Sequence, residues 1–377
     1  MSRFIIFDIE IFPNWWCVCY KEPGKSVQSV TSDDYRGWET LSKLRIGNVL
    51  IGFNIKNYDL KILYAIVNGA TCERLYKLSK SIIDDDDSDK LNSYKFWNNF
   101  NFIDLWDDWR FGSLKEFEAN CGMDIRESSI SFDSPLYTEA QKQEILSYCM
   151  HDVEATEKLY EYRKSYIESK EVLADIYKIP LFTAYKSTNA KLSAIILKAE
   201  PKEFYDNNEF VLPDKVKAYC EKCLPKEVLD LFATLNEDAK SAVLFDNVID
   251  FGIGGVHSVY KDPLWNDVKP IWTMTTDDEL LMNVDVNSYY PNLLIHFNLL
   301  SRACDSVKIY KDMYELRLHW KQEMSVELET NGKTEYYYAC KAKQQALKLI
   351  LNTIYGAMKN KHNALYDPYN AGYMCYL

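Results

Sequence analysis

The chain has 377 residues, enough for two or three domains at roughly 150 residues each. Hydrophobic residues make up 47% of it and supply real cores, but no run of about 18 apolar residues occurs, so no membrane span is expected. A net charge of −12 excludes a protein that coats nucleic acid with its whole surface, and the apolar run after Arg3 meets a charge at Asp8, too early for a secretory leader, so a cytoplasmic location is expected. The ten cysteines are scattered and read as reduced thiols. Cys220-Glu-Lys-Cys223 is the one C-x-x-C, and no second pair has the spacing a structural zinc site needs.

In chain order, Phe4–Phe7 is an apolar run leading into Asp8-Ile9-Glu10, and Trp15–Tyr20 is a second run. With Pro13-Asn14 between them this predicts strand, turn, strand. Val49–Gly52 reads as a buried strand, followed by a helix from about Asp59 to Val67. Asp84–Asp89 is an acidic loop, Phe100–Leu105 a strand, and Thr138–Ile167 has helical periodicity throughout. This alternation predicts an α/β domain with a mixed sheet over 1–170. From 171 to 248 the pattern is mainly helical, broken by Pro180, Pro201, Pro213 and Pro225. Phe251–His257 reads as a glycine-rich turn before a strand, and Leu280–Val286 as a strand ending at Asp285. Asp312–Glu329 and Tyr338–Met358 are two helices whose short link at Asn331-Gly332 makes them antiparallel. Six lysines between 333 and 361 face one acid, Glu335, which suits a cleft that holds phosphates.

Asp8 and Glu10 lie two apart on a strand, so both carboxylates face one side. Asn54-x-x-x-Tyr58-Asp59 puts a third carboxylate at a helix start. Tyr148-x-x-x-Asp152 puts a phenol and a fourth carboxylate one helical turn apart. Convergent carboxylates suit two hard divalent cations, Mg²⁺ or Mn²⁺, which activate a water and stabilise a leaving 3′ oxygen. Asp104 is a further carboxylate at a strand end and reads as structural. In this order the set resembles the exonuclease motifs of the DEDD superfamily, in the tyrosine form found in family B proofreading domains. The resemblance implies an RNase H-like domain in which Asp8, Glu10, Asp59 and Asp152 hold the metals and Tyr148 orients the water. Asn54 and Tyr58 would hold the single-stranded 3′ end. Ile11 stands where the family often has Thr.

Asp285-Val-Asn-Ser-Tyr-Tyr-Pro291 and Lys348-Leu-Ile-Leu-Asn-Thr-Ile-Tyr-Gly356 resemble motifs A and B of family B DNA polymerases. The resemblance implies a second two-metal site, with Asp285 and the Val286 carbonyl as ligands. Ser288 and Tyr289 would lie under the triphosphate of a dNTP, and Tyr290 under its sugar. Lys348, Asn352 and Tyr355 share one helical face. Lys348 would meet a phosphate, and Tyr355 and Gly356 the templating base pair. Arg317 and Lys321 would complete the triphosphate clamp, and Gly254-Gly255 resembles the Y-x-G-G element that coordinates the two activities.

The implied order is an exonuclease domain over 1–170, a helical connector with the glycine turn over 171–265, a partial palm over 266–300, two-helix fingers over 301–358, and a return to the palm over 359–377. Motif C, an Asp-Thr-Asp turn, is not spelled in the 21 residues after Gly356. The expectation is therefore the N-terminal part of a compact phage-type polymerase, acting in the cytoplasm of a bacterial host on primer–template DNA and dNTPs. A second chain would supply motif C and the thumb. Two other readings stay open: a stand-alone 3′–5′ exonuclease with a vestigial polymerase half, and a non-catalytic primer–template-binding fragment.

Overall fold

Alternation along Phe4-Ile-Ile-Phe-Asp-Ile-Glu-Ile11 builds strand β1 (Phe4–Ile11) and divides its side chains between two cores. Ile5, Phe7, Ile9 and Ile11 enter one, while Ile6 enters the other. Strand β2 (Trp16–Lys21) pairs antiparallel with β1, and β3 (Gln28–Thr31) antiparallel with β2. Strands β4 (Val49–Gly52) and β5 (Phe102–Asp104) extend the sheet in parallel on the other side, giving the order β3-β2-β1-β4-β5. The computed structural model describes residues 3–84, 99–109, 112–203, 214–223, 225–226, 229–230, 240–244, 247–252, 255–258, 274–278, 280–282, 286 and 288–376. They divide into two compact units, Met1–Asn189 and Ala190–Leu377.

In the first unit, helices α1 (Gly37–Arg45), α2 (Asp59–Val67) and α3 (Cys72–Ile83) cover one face of the sheet through Leu41, Leu60, Leu63, Leu75 and Leu78. Helices α4 (Leu114–Asn120) and α5 (Glu139–Tyr162) cover the other through Phe117, Ile145, Cys149 and Val153. Each such side chain contributes about 1.5–3 kcal/mol on burial. Both helices of the second layer start at capping boxes, Ser113 with Glu116 and Thr138 with Gln141. Gly52 lets the chain fold back after β4, since a Cβ there would meet Ile55 Cγ2 at 2.2 Å and Phe7 O at 3.2 Å. The single helix expected over 138–167 is two. It breaks at Arg163, whose buried guanidinium donates to the Leu105 carbonyl, and α6 (Lys164–Tyr177) follows, then α7 (Leu181–Tyr185).

The second unit takes up helix α8 (Asn189–Ile196) and includes α9 (Asp214–Cys223). The helical run expected to reach 248 ends earlier. Strands β6 (Lys240–Leu244), β7 (Asn247–Gly252) and β8 (Gly255–Ser258) form an antiparallel sheet of their own. The β-branched residues Val243, Val248 and Ile249 favour that outcome. The strand expected over 280–286 is absent at its described residues. Leu280, Leu281, Met282 and Val286 are exposed and unpaired in any sheet, and a strand needs a neighbour to satisfy its backbone. Helix α10 (Tyr289–His296) is followed by α11 (Lys308–Thr330), α12 (Glu335–Lys359) and α13 (Pro368–Tyr376). The bonds Thr334–Glu327 and Tyr336–Glu323 and the stacking of Lys343 on Trp320 step in opposite chain directions, as an antiparallel pair requires. Among the described residues, no helix is long and apolar enough to cross a membrane.

Candidate active site

Because Asp8 and Glu10 continue the face of β1 that begins at Ile6, they meet α5 at the end of the strand. Asp8, Glu10 and Asp152 there bring carboxylate oxygens within 4.8 Å of one another. Asp59, at the start of α2, lines the same pocket as Asp8 and Glu10 but stands outside that 4.8 Å group. The electrostatics follow from crowding in a place with little water. Burial and then the Asp152 charge push the Asp8 carboxyl up to about 8. Burial, then Asp8, raises Glu10 and Asp59 well above the usual carboxylate range. Carboxylates held this close repel one another unless a cation lies between them. The donor set, all hard oxygens, therefore fits divalent magnesium or manganese.

Tyr148 lies one turn before Asp152, and burial and the Asp152 charge hold its hydroxyl firmly protonated. Lys115 on α4, which the sequence reading did not single out, completes this corner. Its Nζ donates to Asp152 Oδ1 at 2.5 Å, lies 4.8 Å from the Tyr148 ring centre, and is 3.5 Å from the fully buried Glu118. The Ser113-x-x-Glu116 capping box marks the helix in the sequence, but nothing there distinguishes this lysine from the others.

Asp104 does not join the carboxylate group. Its Oδ1 accepts from the Asn54 and Trp106 amides at 2.8 and 3.0 Å, and its Oδ2 from the Lys56 amide at 3.0 Å. It thereby fixes the turn that carries Asn54, whose φ of 58° is left-handed, and Tyr58. Asn54 Oδ1 is engaged by Asn57 Nδ2, and the Tyr58 hydroxyl by Ser79 Oγ at 2.7 Å. The far wall of the pocket is α3 and the 132–133 loop, tied together by Tyr76 and Lys80 on Asp133.

In the second unit, Ser288 has left-handed backbone at the start of α10, and its Oγ accepts from Arg317 Nη1 at 3.1 Å. Tyr290 stacks on Tyr355 with ring centres 5.0 Å apart, beside Tyr289 on one side and Lys359 on the other. Lys321, Lys348, Asn352 and Gly356 are exposed, and Leu347, Ile350, Leu351 and Ile354 on the opposite face of α12 are buried. A Cβ at Gly356 would meet nothing within 4 Å. Gly255 pairs with Gly252 across the β7–β8 hairpin. Asp285 and Gly254 lie outside the described residues, and Val286 is exposed. The structure thus brings Arg317 to Ser288 and Tyr355 to Tyr290.

No family model matches the sequence, and no curated protein is significantly similar to it. Solved structures do match. A family B DNA polymerase from the hyperthermophilic archaeon Pyrobaculum calidifontis superposes with a TM-score of 0.52 at 13% identity, over 99% of this chain and 49% of its own. The chain shares its fold with a family B DNA polymerase. It spans about half the length of that polymerase. At this identity the likeness establishes the architecture, and the side chains must argue the chemistry.

Proposed function

We propose that this chain is the N-terminal part of a family B DNA polymerase, with a 3′–5′ proofreading exonuclease of RNase H-like architecture over residues 1–170. The observation that carries the reading is the convergence of Asp8, Glu10 and Asp152 beside Tyr148, in a chain with the polymerase fold. The strand order β3-β2-β1-β4-β5, with β2 antiparallel, supports the RNase H-like assignment.

Asp8, Glu10, Asp152 and Asp59 would hold two divalent magnesium or manganese ions. Such ions, when bound, make a water more acidic and stabilise the leaving oxygen. The protein's own groups supply the rest. The protonated Tyr148 hydroxyl orients the attacking water, whose oxygen bonds to phosphorus as the bond to the 3′ oxygen of the preceding nucleotide breaks. Lys115 restrains Asp152 and offsets the charge gathered there. The turn held by Asp104 presents Asn54 and Tyr58 to the single strand.

In the second unit, we assign dNTP and primer–template binding to Ser288, Tyr289, Tyr290, Arg317, Lys321, Lys348, Asn352, Tyr355 and Gly356. The connector, partial palm and fingers take the boundaries given above. Asp285 with Val286 is the metal-binding carboxylate of the palm. Its Asp-Thr-Asp counterpart is not assigned to any of these 377 residues. The glycines at 254–255 link the two activities.

The test is a gel assay on a 5′-labelled primer–template with Mg²⁺, with and without dNTPs, beside Asp8→Ala. The expected result is primer shortening that Asp8→Ala abolishes, without extension. Extension by this chain alone would overturn the incomplete palm, and shortening that survives Asp8→Ala would overturn the nuclease site.

A further inference from the structure

Asp8 and Glu10 share their face of the sheet with Cys19 and Cys17, their partners across the β1–β2 ladder. Cys149 descends onto the same spot from α5. The three thiols lie within 4.8 Å of one another and have no solvent exposure. The hydrolysis proposed above uses none of them. As core filler, cysteine behaves like any small hydrophobe. This group differs in its neighbour, because Cys149 Sγ lies 3.5 Å from both the Asp8 carbonyl and Asp8 Oδ2. A tetrahedral ion with bonds of about 2.3 Å to sulfur and about 2.0 Å to oxygen holds those two ligand types about 3.5 Å apart, and its sulfurs about 3.8 Å apart.

We propose that Cys17, Cys19 and Cys149, with one carboxylate oxygen of Asp8, form a binding site for a single zinc ion. Thiolates favour thiophilic ions, and the oxygens of Glu10 and Asp152 favour hard ones, so the two chemistries sort different metals to the two sides of Asp8. A carboxylate has two oxygens, and Asp8 can serve both sides. Asp8 also lines the open pocket, which gives the ion a way in. The sequence concealed the site because two ligands are on one strand and the third is 130 residues later on a helix. The C-x-x-C at 220–223 drew attention instead.

The experiment uses the full chain carrying Cys220→Ser and Cys223→Ser, loaded with one equivalent of zinc, and reads X-ray absorption at the zinc edge. It follows the metal and not cleavage, so its outcome is independent of whether the chain degrades DNA. Three sulfur scatterers and one oxygen are expected, with Cd²⁺ giving a thiolate charge-transfer band of one-to-one stoichiometry. Cys149→Ser should abolish that band in a chain whose circular dichroism is unchanged. Should Cys149→Ser unfold the chain, the scatterer count on the parent decides alone. A shell of nitrogen and oxygen, two sulfurs or fewer, or a band that survives in folded Cys149→Ser would overturn the proposal.

Discussion

Asp8 is buried beside the Asp152 charge, and its titration has a calculable sign. In the unfolded chain its carboxyl has an ordinary value of about 3.9. In the folded chain burial and Asp152 raise it to about 8. Below the lower value both states hold the proton, and above the upper value neither does. Between them the folded chain keeps a proton that the unfolded chain has released. Metal-free stability therefore falls as pH rises from about 4 to about 8. Mn²⁺ should reverse this, because it favours the ionised form that the fold otherwise penalises. Asp8→Asn should raise the metal-free melting temperature at pH 8, remove most of the shift caused by Mn²⁺, and abolish cleavage. Thermal unfolding of both chains across this pH range, with EDTA or Mn²⁺, checks all three. A metal-free melting temperature that rises with pH in the parent would mean that Asp8 is not under this strain.

At the scale of elements, the end of β5 determines the shape of the pocket entrance. Asp104 is 2% exposed and accepts from three backbone amides of the turns after β4 and β5. Its carboxyl is raised by burial, against the pull of those amides. Asp104→Ala strands buried donors, and the expected loss is about 2–3 kcal/mol in denaturant unfolding. Weaker binding of single-stranded DNA should accompany it, since Asn54 and Tyr58 sit on the loosened turn. A loss within error of zero would show that water replaces the carboxylate. The same elements show what the sequence makes legible. The strand Phe4–Ile11 and helix Asp59–Val67 announce themselves by period, which puts Asp8 and Glu10 on one strand face and Asp59 at a helix start. That the three line one pocket is implied by the family resemblance and not by local pattern. Asp104 could be read as structural because it ends a strand, though its three amide partners are invisible without the fold. Lys115 was missed because its meaning depends on α4 lying beside α5, a tertiary fact. The expected strand at 280–286 failed for the same reason, since pairing depends on a neighbour and not on the apolar run itself.

The whole molecule divides its chemistry as it divides its contacts. Both cores flanking the five-stranded sheet draw only on residues up to Tyr185, and every nuclease candidate lies before Asn189. A chain of about 190 residues buries enough surface to fold alone. The six lysines between 333 and 361, a local exception to the net charge of −12, all belong to the second unit. Residues 1–189 produced alone should therefore keep the chemistry and lose affinity for duplex. On a short single-stranded oligonucleotide with Mn²⁺, maximal cleavage should stay within about twofold of the full chain. On primer–template at low salt, the half-saturating concentration should rise by about tenfold or more, and the difference should shrink as salt screens the lysines. Residues 190–377 should bind the same primer–template without cutting it. Steady-state kinetics of the fragment against the full chain, at two salt concentrations, separate these effects. A folded fragment with no cleavage at any Mn²⁺ concentration would show that the nuclease site needs a group from the second unit. The carboxylates of β1, α2 and α5 would then be a necessary part of the site but not all of it.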